Sequence, residues 1–204
     1  MNFQKLIYSV LKNPIVYWTY QKLVGGDRAR ILFLKNHVNA QPNSKFLDIG
    51  CGPGNMIDFL PELNYHGVDI NPEYIKAAKE QYGTRGTFTC ADLNDFGILE
   101  PETFDIVMAS GVIHHLDDDL SKKLFQVAHK ALKPNGKLIT FDGCYRKGQN
   151  PFAKLMLKLD RGKYVRTQDQ YETLALGFFQ NIKSEIDETY FKIPYTSLIM
   201  TCKK

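Results

Sequence analysis

The sequence predicts an α/β protein, a mostly parallel sheet with helices on both faces. Three observations carry this reading. From Lys45 to Gly143, short apolar runs alternate with helical patterns of about 10–15 residues, the rhythm of a sheet built from crossover units. One run, 103–110 (TFDIVMAS), is nearly continuous in apolar residues, as a parallel strand covered on both sides should be. The first run, 45–50 (KFLDIG), leads through Asp48 into Gly50-Cys51-Gly52-Pro53-Gly54, a glycine turn where open α/β sheets place ligands.

The elements follow in order. Leu6, Ile7, Val10 and Leu11 share one helical face, Pro14 breaks that helix, and IVYWTYQKL starts a second. Gly25-Gly26-Asp27 reads as a stop and a cap, and Ile31, Leu32, Leu34 and Val38 fit a third helix. After the first strand, 56–63 reads as a short helix and 65–70 (YHGVDI) as strand two. A helix over 72–82 opens on Pro72, whose missing N–H costs nothing there. Strand three is 86–92 (GTFTCAD), strand four 103–110. A helix over 120–132 buries Leu120, Leu124, Val127, Ala128 and Leu132, and KPNG ends it. Strand five is 137–143. A basic, partly helical insertion follows, then a helix entered through Thr167 and Gln170 at capping-box spacing. The last two runs, 182–193 and 195–204, read as an antiparallel pair joined by a tight turn at Pro194.

At 204 residues the chain is expected to form one domain. It divides into an N-terminal helical cap (1–43), a core (44–143), the basic insertion (144–180) and the C-terminal strand pair (181–204). A net charge of +4 is too mild to mark a nucleic-acid binder. Four scattered cysteines, Cys51, Cys90, Cys144 and Cys202, form no metal or disulfide pattern. The first 26 residues carry no cleavage signal, and no run reaches the roughly 20 apolar residues of a membrane span. A cytoplasmic location is expected.

The glycine turn is not a dinucleotide fingerprint. G-x-G-x-x-G needs glycine at position 55, which is Asn55, and the missing Lys-Ser/Thr pair excludes the phosphate loop of nucleotide hydrolases. Asp48 at the mouth repels a pyrophosphate and attracts a ligand carrying an ammonium and a sulfonium. Asp69 ends strand two, about 20 residues beyond the first glycine, where a carboxylate accepts ribose hydroxyls. Asp92 follows strand three, where it can accept from an adenine amino group beside the Leu93 backbone N–H, and Ile70 can pack on a purine face.

Five motifs (FLDIGCGPGN, GVDINPEYIKAAKE, FTCADLNDF, FDIVMASGVIHHL and ALKPNGKLITFD) together resemble the class I S-adenosylmethionine-dependent methyltransferases, in particular the ubiquinone/menaquinone-biosynthesis-like, type 11 group. The resemblance covers roughly Ser44 to Gly143. It implies a Rossmann-like sheet of seven strands in the order 3-2-1-4-5-7-6, strand 7 antiparallel, with S-adenosylmethionine as cofactor and S-adenosylhomocysteine as product. By position it implies that Asp48, Gly50 and Gly52, with Cys51 between them, line the methionine end. Asp69 would bind the ribose with Ile70 and Asn71 beside it, Asp92 and Leu93 the adenine, and Ser110 would lie under the methionine portion.

Methyl transfer from a sulfonium is an in-line displacement that needs positioning, exclusion of water and, for a protic nucleophile, a base. His114 and His115 follow strand four and are the candidate catalytic residues, as a base or a substrate hydrogen-bond partner, or with one of them packed structurally. Asp117–Asp119 read as a helix cap rather than a metal site, and MASG stands where metal-dependent enzymes want acids, so metal-independent chemistry is expected. The base-amine motif is missing after strand four, which disfavours nucleic acid. The insertion carries Arg146, Lys147, Lys154, Lys158, Arg161, Lys163 and Arg166 against Asp160, with Phe152, Tyr164 and Tyr171 nearby. It reads as a pocket for an anionic or lipid-linked small molecule, as a helix lying on a membrane surface, or as a solvated basic lid. Arg28 or Arg30 could reach the cofactor carboxylate. A silent cofactor-binding module and an RNA-modifying enzyme are the alternatives.

Overall fold

The computed structural model describes residues 25–95, 100–159 and 162–204. The helices expected before Gly25, with Tyr17, Trp18 and Tyr20, lie outside the described residues. The strands are β1 (Lys45–Ile49), β2 (Asn64–Asp69), β3 (Gly86–Cys90), β4 (Phe104–Ser110), β5 (Leu132–Tyr145), β6 (Arg166–Thr167), β7 (Asn181–Asp187) and β8 (Ser197–Lys203). Seven form one path in the order β3-β2-β1-β4-β5-β8-β7, and the two-residue β6 pairs with the end of β5. With β6 set aside this is the expected 3-2-1-4-5-7-6 arrangement. β1 to β5 are parallel and β8 runs antiparallel to both β5 and β7.

The helices are α1 (Gly26–Phe33), α2 (Pro72–Tyr82), α3 (Asp118–Ala131), α4 (Pro151–Leu159) and α5 (Gln168–Leu176). Two apolar clusters fill the space on either side of the sheet. One joins Ala29, Phe33, Ile75, Ala78 and Tyr82 to Phe46, Met108 and Ile139. The other joins Leu124, Phe125, Ala128, Tyr171 and Leu174 to Leu47, Val107 and Leu138. Alternate residues of β1 therefore face opposite cores, which is why the central strands are apolar throughout.

Some expected elements move. The third N-terminal helix passes from α1 into a π-helical turn, Leu34–Val38. The wider turn shifts the periodicity, so Phe33, Leu34 and Val38 are buried while Ile31 is 48% exposed. Residues Asn55–Phe59 form a 3-10 turn instead of a longer helix. α3 starts at Asp118 because the Asp117 side chain caps Leu120 N–H at 2.9 Å. It stops at Ala131, and the chain enters β5 at once, with a register shift between Phe104 and Ile106 absorbing the KPNG residues. The last two strands are joined by residues 188–196, longer than the tight turn expected at Pro194.

Candidate active site at the carboxyl ends of the strands

The turn after β1 takes three residues into left-handed backbone, Gly50 (φ 74°), Gly52 (φ 55°) and Gly54 (φ 81°). Two of them are fixed from within. A Cβ on Gly50 would stand 2.5 Å from a Val112 methyl carbon, and one on Gly54 would meet Phe88 at 3.0 Å. At Gly52 a Cβ would meet nothing within 4 Å. The turn is thus packed at both ends and bare in its middle, where a ligand can approach the backbone.

Asp69 closes the other side. Its Oδ2 accepts the Gly52 N–H at 2.9 Å and its Oδ1 accepts the Asn71 N–H at 2.8 Å. These two bonds fix the carboxylate plane and tie the end of β2 to the glycine turn. A carboxylate has about four acceptor positions, so others remain for a ligand's hydroxyls. Ile70 is 67% exposed and lies next to this carboxylate in the chain. The Asn71 side chain is committed to capping α2, accepting from Glu73 and Tyr74 N–H. Asp92, after β3, turns one carboxylate oxygen to its own loop, accepting the Asn94 backbone and side-chain N–H groups at 2.8 Å. Leu93 packs at the edge of the core.

Asp48 lies under the turn. It is buried, and its Oδ2 accepts a hydrogen bond from the Tyr65 hydroxyl at 2.5 Å. Burial pushes its carboxyl up to about 7; the Tyr65 hydrogen bond pulls the other way and the charge of Asp69 adds a further push. Cys51 turns inward against Gly67, and burial drives its thiol far above the usual range. What Cys51 offers outward is backbone.

On the β4 side, Ser110 stands in register with Phe141 of β5, and a 3-10 turn, Ile113–His115, follows. The two histidines part company here. His114 is buried, with its Nδ1 2.7 Å from Asp142 Oδ1 and its backbone N–H donating to the same oxygen at 3.1 Å. His115 is exposed, its ring centroid 4.2 Å from that of His114. A strap covers His114, since Tyr164 N–H donates to His114 O at 2.9 Å and a Cβ on Gly162 would collide with the His114 ring.

Several cations expected at the site are used elsewhere. Arg28 donates to Thr189 O and Tyr190 O at 2.6 and 2.7 Å, and Arg30 pairs with Asp27. Arg166 is buried, bonding Asp118 and the carbonyls of Ile113, Tyr164 and Leu116, between the rings of Tyr164 and Tyr171. A planar five-donor group fits that nest, so Arg166 anchors the strap and does not face a substrate. Tyr171 is fully buried and bonds Gly143 O. Sequence reasoning missed Asp142 and Tyr65. Asp142 carried the signal that singled out Asp69, an acid at the carboxyl end of a strand.

The sheet order, the bare glycine turn and the acid at the end of β2 define a Rossmann-like methyltransferase-type domain. The profile of a methyltransferase domain matches residues 46–136. The matched stretch is a methyltransferase domain of the S-adenosylmethionine-dependent kind. It is 29% identical over 155 residues to phosphoethanolamine N-methyltransferase of Plasmodium falciparum, covering 72% of this chain and 58% of that protein. It is 29% identical over 114 residues to ubiquinone biosynthesis O-methyltransferase of Idiomarina loihiensis, covering 53% and 46%. The chain spans about half the length of the curated relatives it matches. Among solved structures, phosphoethanolamine N-methyltransferase 2 of Haemonchus contortus, in complex with phosphomonomethylethanolamine and S-adenosylhomocysteine, shares the fold over the whole chain. Its TM-score is 0.76 at 20% identity, with 60% of that chain covered. Among the described residues no helix is long and apolar enough to cross a membrane.

Proposed function

We propose that this chain transfers a methyl group from S-adenosylmethionine to oxygen, nitrogen or carbon of a small-molecule acceptor, without a metal. The observation that carries the cofactor half is the Asp69 carboxylate, held between the Gly52 and Asn71 N–H groups beside bare backbone and the exposed Ile70. These residues fit an adenosine. Asp69 accepts from the ribose hydroxyls, Ile70 covers one purine face, and Asp92 with the Leu93 N–H reads the adenine edge. Gly50, Gly52 and Ser110 line the amino-acid end, and Asp48 lies beneath them as the acid nearest a cationic head.

When bound, S-adenosylmethionine supplies a methyl group on a positively charged sulfur that leaves as a neutral thioether. The protein's share is to orient the acceptor in line with that bond, keep water out, and hold a lost proton. His115 takes the proton role because it is the exposed histidine, and Asp142 with His114 positions the turn that presents it. Two relatives, named for phosphoethanolamine N-methylation and for O-methylation in ubiquinone biosynthesis, favour a small acceptor without selecting one. The basic flank of the insertion favours an anionic or lipid-linked molecule.

The test is incubation with methyl-labelled cofactor and a fractionated cell extract. Label should pass to the small-molecule or lipid fraction and depend on Asp69. Label found only in RNA or protein, or none transferred, would contradict the reading.

A further inference from the structure

Helix α4 leaves an apolar stripe outside the core. Its inner face is anchored: Ala153 and Leu157 are buried, and Leu157 lies so close to Gly143 that a Cβ there would stand 2.5 Å away. Its start is fixed by Asn150, whose side chain accepts the Phe152 N–H at 2.8 Å. With about 3.6 residues per turn, Phe152, Leu155 and Leu159 fall on one line along the other side. Phe152 is 48% and Leu155 47% exposed, and Leu159 is half-buried. Tyr164, on the strap that follows, is 40% exposed.

The charge on the helix itself has one sign. Lys154 and Lys158, both exposed, run along one flank of the helix, and exposed Lys147 and Lys163 stand before and after it. Asp160, directly after the helix, is the one acid in the sequence of 144–166. Long lysine stems can lie along a lipid interface while their ammonium groups reach the headgroups. Two copies meeting through this stripe would bring like charges together.

We propose that this stripe docks the protein on an anionic phospholipid surface, with Phe152 and Leu155 entering the headgroup boundary and Lys154 and Lys158 pairing with phosphates. The helix sits on Gly143, one residue from Asp142 and hence beside the His114–His115 turn. Resting on the methyl-transfer reading, the docking would bring a lipid-linked acceptor to that rim directly from the membrane.

The test is co-sedimentation of the full chain with vesicles of equimolar phosphatidylglycerol and phosphatidylcholine, against phosphatidylcholine alone. The anionic vesicles should bind it about tenfold or more tightly than the neutral ones, and salt should weaken the binding. Phe152→Ser with Leu155→Ser, and separately Lys154→Gln with Lys158→Gln, should each weaken retention about tenfold. Both pairs should keep the parent's thermal midpoint and its calorimetric affinity for S-adenosylhomocysteine. Absent binding, equal binding to neutral vesicles, or unchanged retention in either pair would overturn the docking. So would a lipid-free dimer abolished by the serine pair, which assigns the stripe to a second copy. Loss of cofactor binding by the parent chain would strike the methyltransferase reading instead, since vesicle binding needs no cofactor.

Discussion

Asp48→Asn tests the electrostatics under the glycine turn through stability alone. The Asp48 carboxyl ionises near 3.8 in an unfolded chain and near 7 in the fold, chiefly because burial disfavours its charge. Between those values the folded chain holds a proton that the unfolded chain has lost. This group's contribution to stability is therefore complete below about pH 4, falls as pH rises, and levels off above about pH 7. The full span is about 3 pH units at about 1.4 kcal/mol each, roughly 4 kcal/mol, of which about 3 kcal/mol lies between pH 5 and pH 8. Asparagine keeps an acceptor for the Tyr65 hydroxyl and carries no charge at any pH. Urea unfolding of both proteins at the two pH values removes every other titration by difference. The parent should lose about 3 kcal/mol more than Asp48→Asn on going from pH 5 to pH 8. Parallel behaviour of the two proteins, to within about 0.5 kcal/mol, would refute the raised carboxyl.

Other outcomes follow from the same site. Gly50→Ala adds left-handed strain to a collision with Val112 and should cost about 3 kcal/mol in denaturant unfolding, whereas Gly52→Ala meets only open space and should cost about 1 kcal/mol while weakening cofactor binding about tenfold or more. Equal stability of the two variants would count against the packed-end, bare-middle turn. On the proposed ribose contact Asp69→Ala should lose two charge-assisted bonds, so calorimetric affinity for S-adenosylhomocysteine should fall by roughly two to four orders of magnitude; an unchanged affinity would remove the ribose assignment. Arg166→Met strips the nest of three carbonyls and Asp118 and should destabilise by about 3 kcal/mol or more in urea, with no loss expected if the guanidinium merely faces solvent.

Legibility in the sequence followed the range of the forces involved. The parallel sheet was readable because Leu47, Val107 and Leu138 must face one core while Phe46, Met108 and Ile139 face the other. Asp69 was readable because its place is local, at the end of a strand and two residues before its bonded partner Asn71. Arg166 was not. Its partners Ile113, Leu116 and Asp118 lie about 50 residues back in the chain, and a lone arginine in a basic run looks like surface charge. The two histidines were equivalent on paper, and only Asp142, contributed from β5, buries one and leaves the other exposed. The π turn after Phe33 likewise had no sequence mark and moved Ile31 out of the core.

The most direct test of the central claim is calorimetric titration of the parent chain with S-adenosylmethionine and S-adenosylhomocysteine. The cradle of Gly52, Asp69 and Ile70 predicts one site per chain for each, with micromolar dissociation constants. No heat of binding with either compound at millimolar concentration would contradict the account.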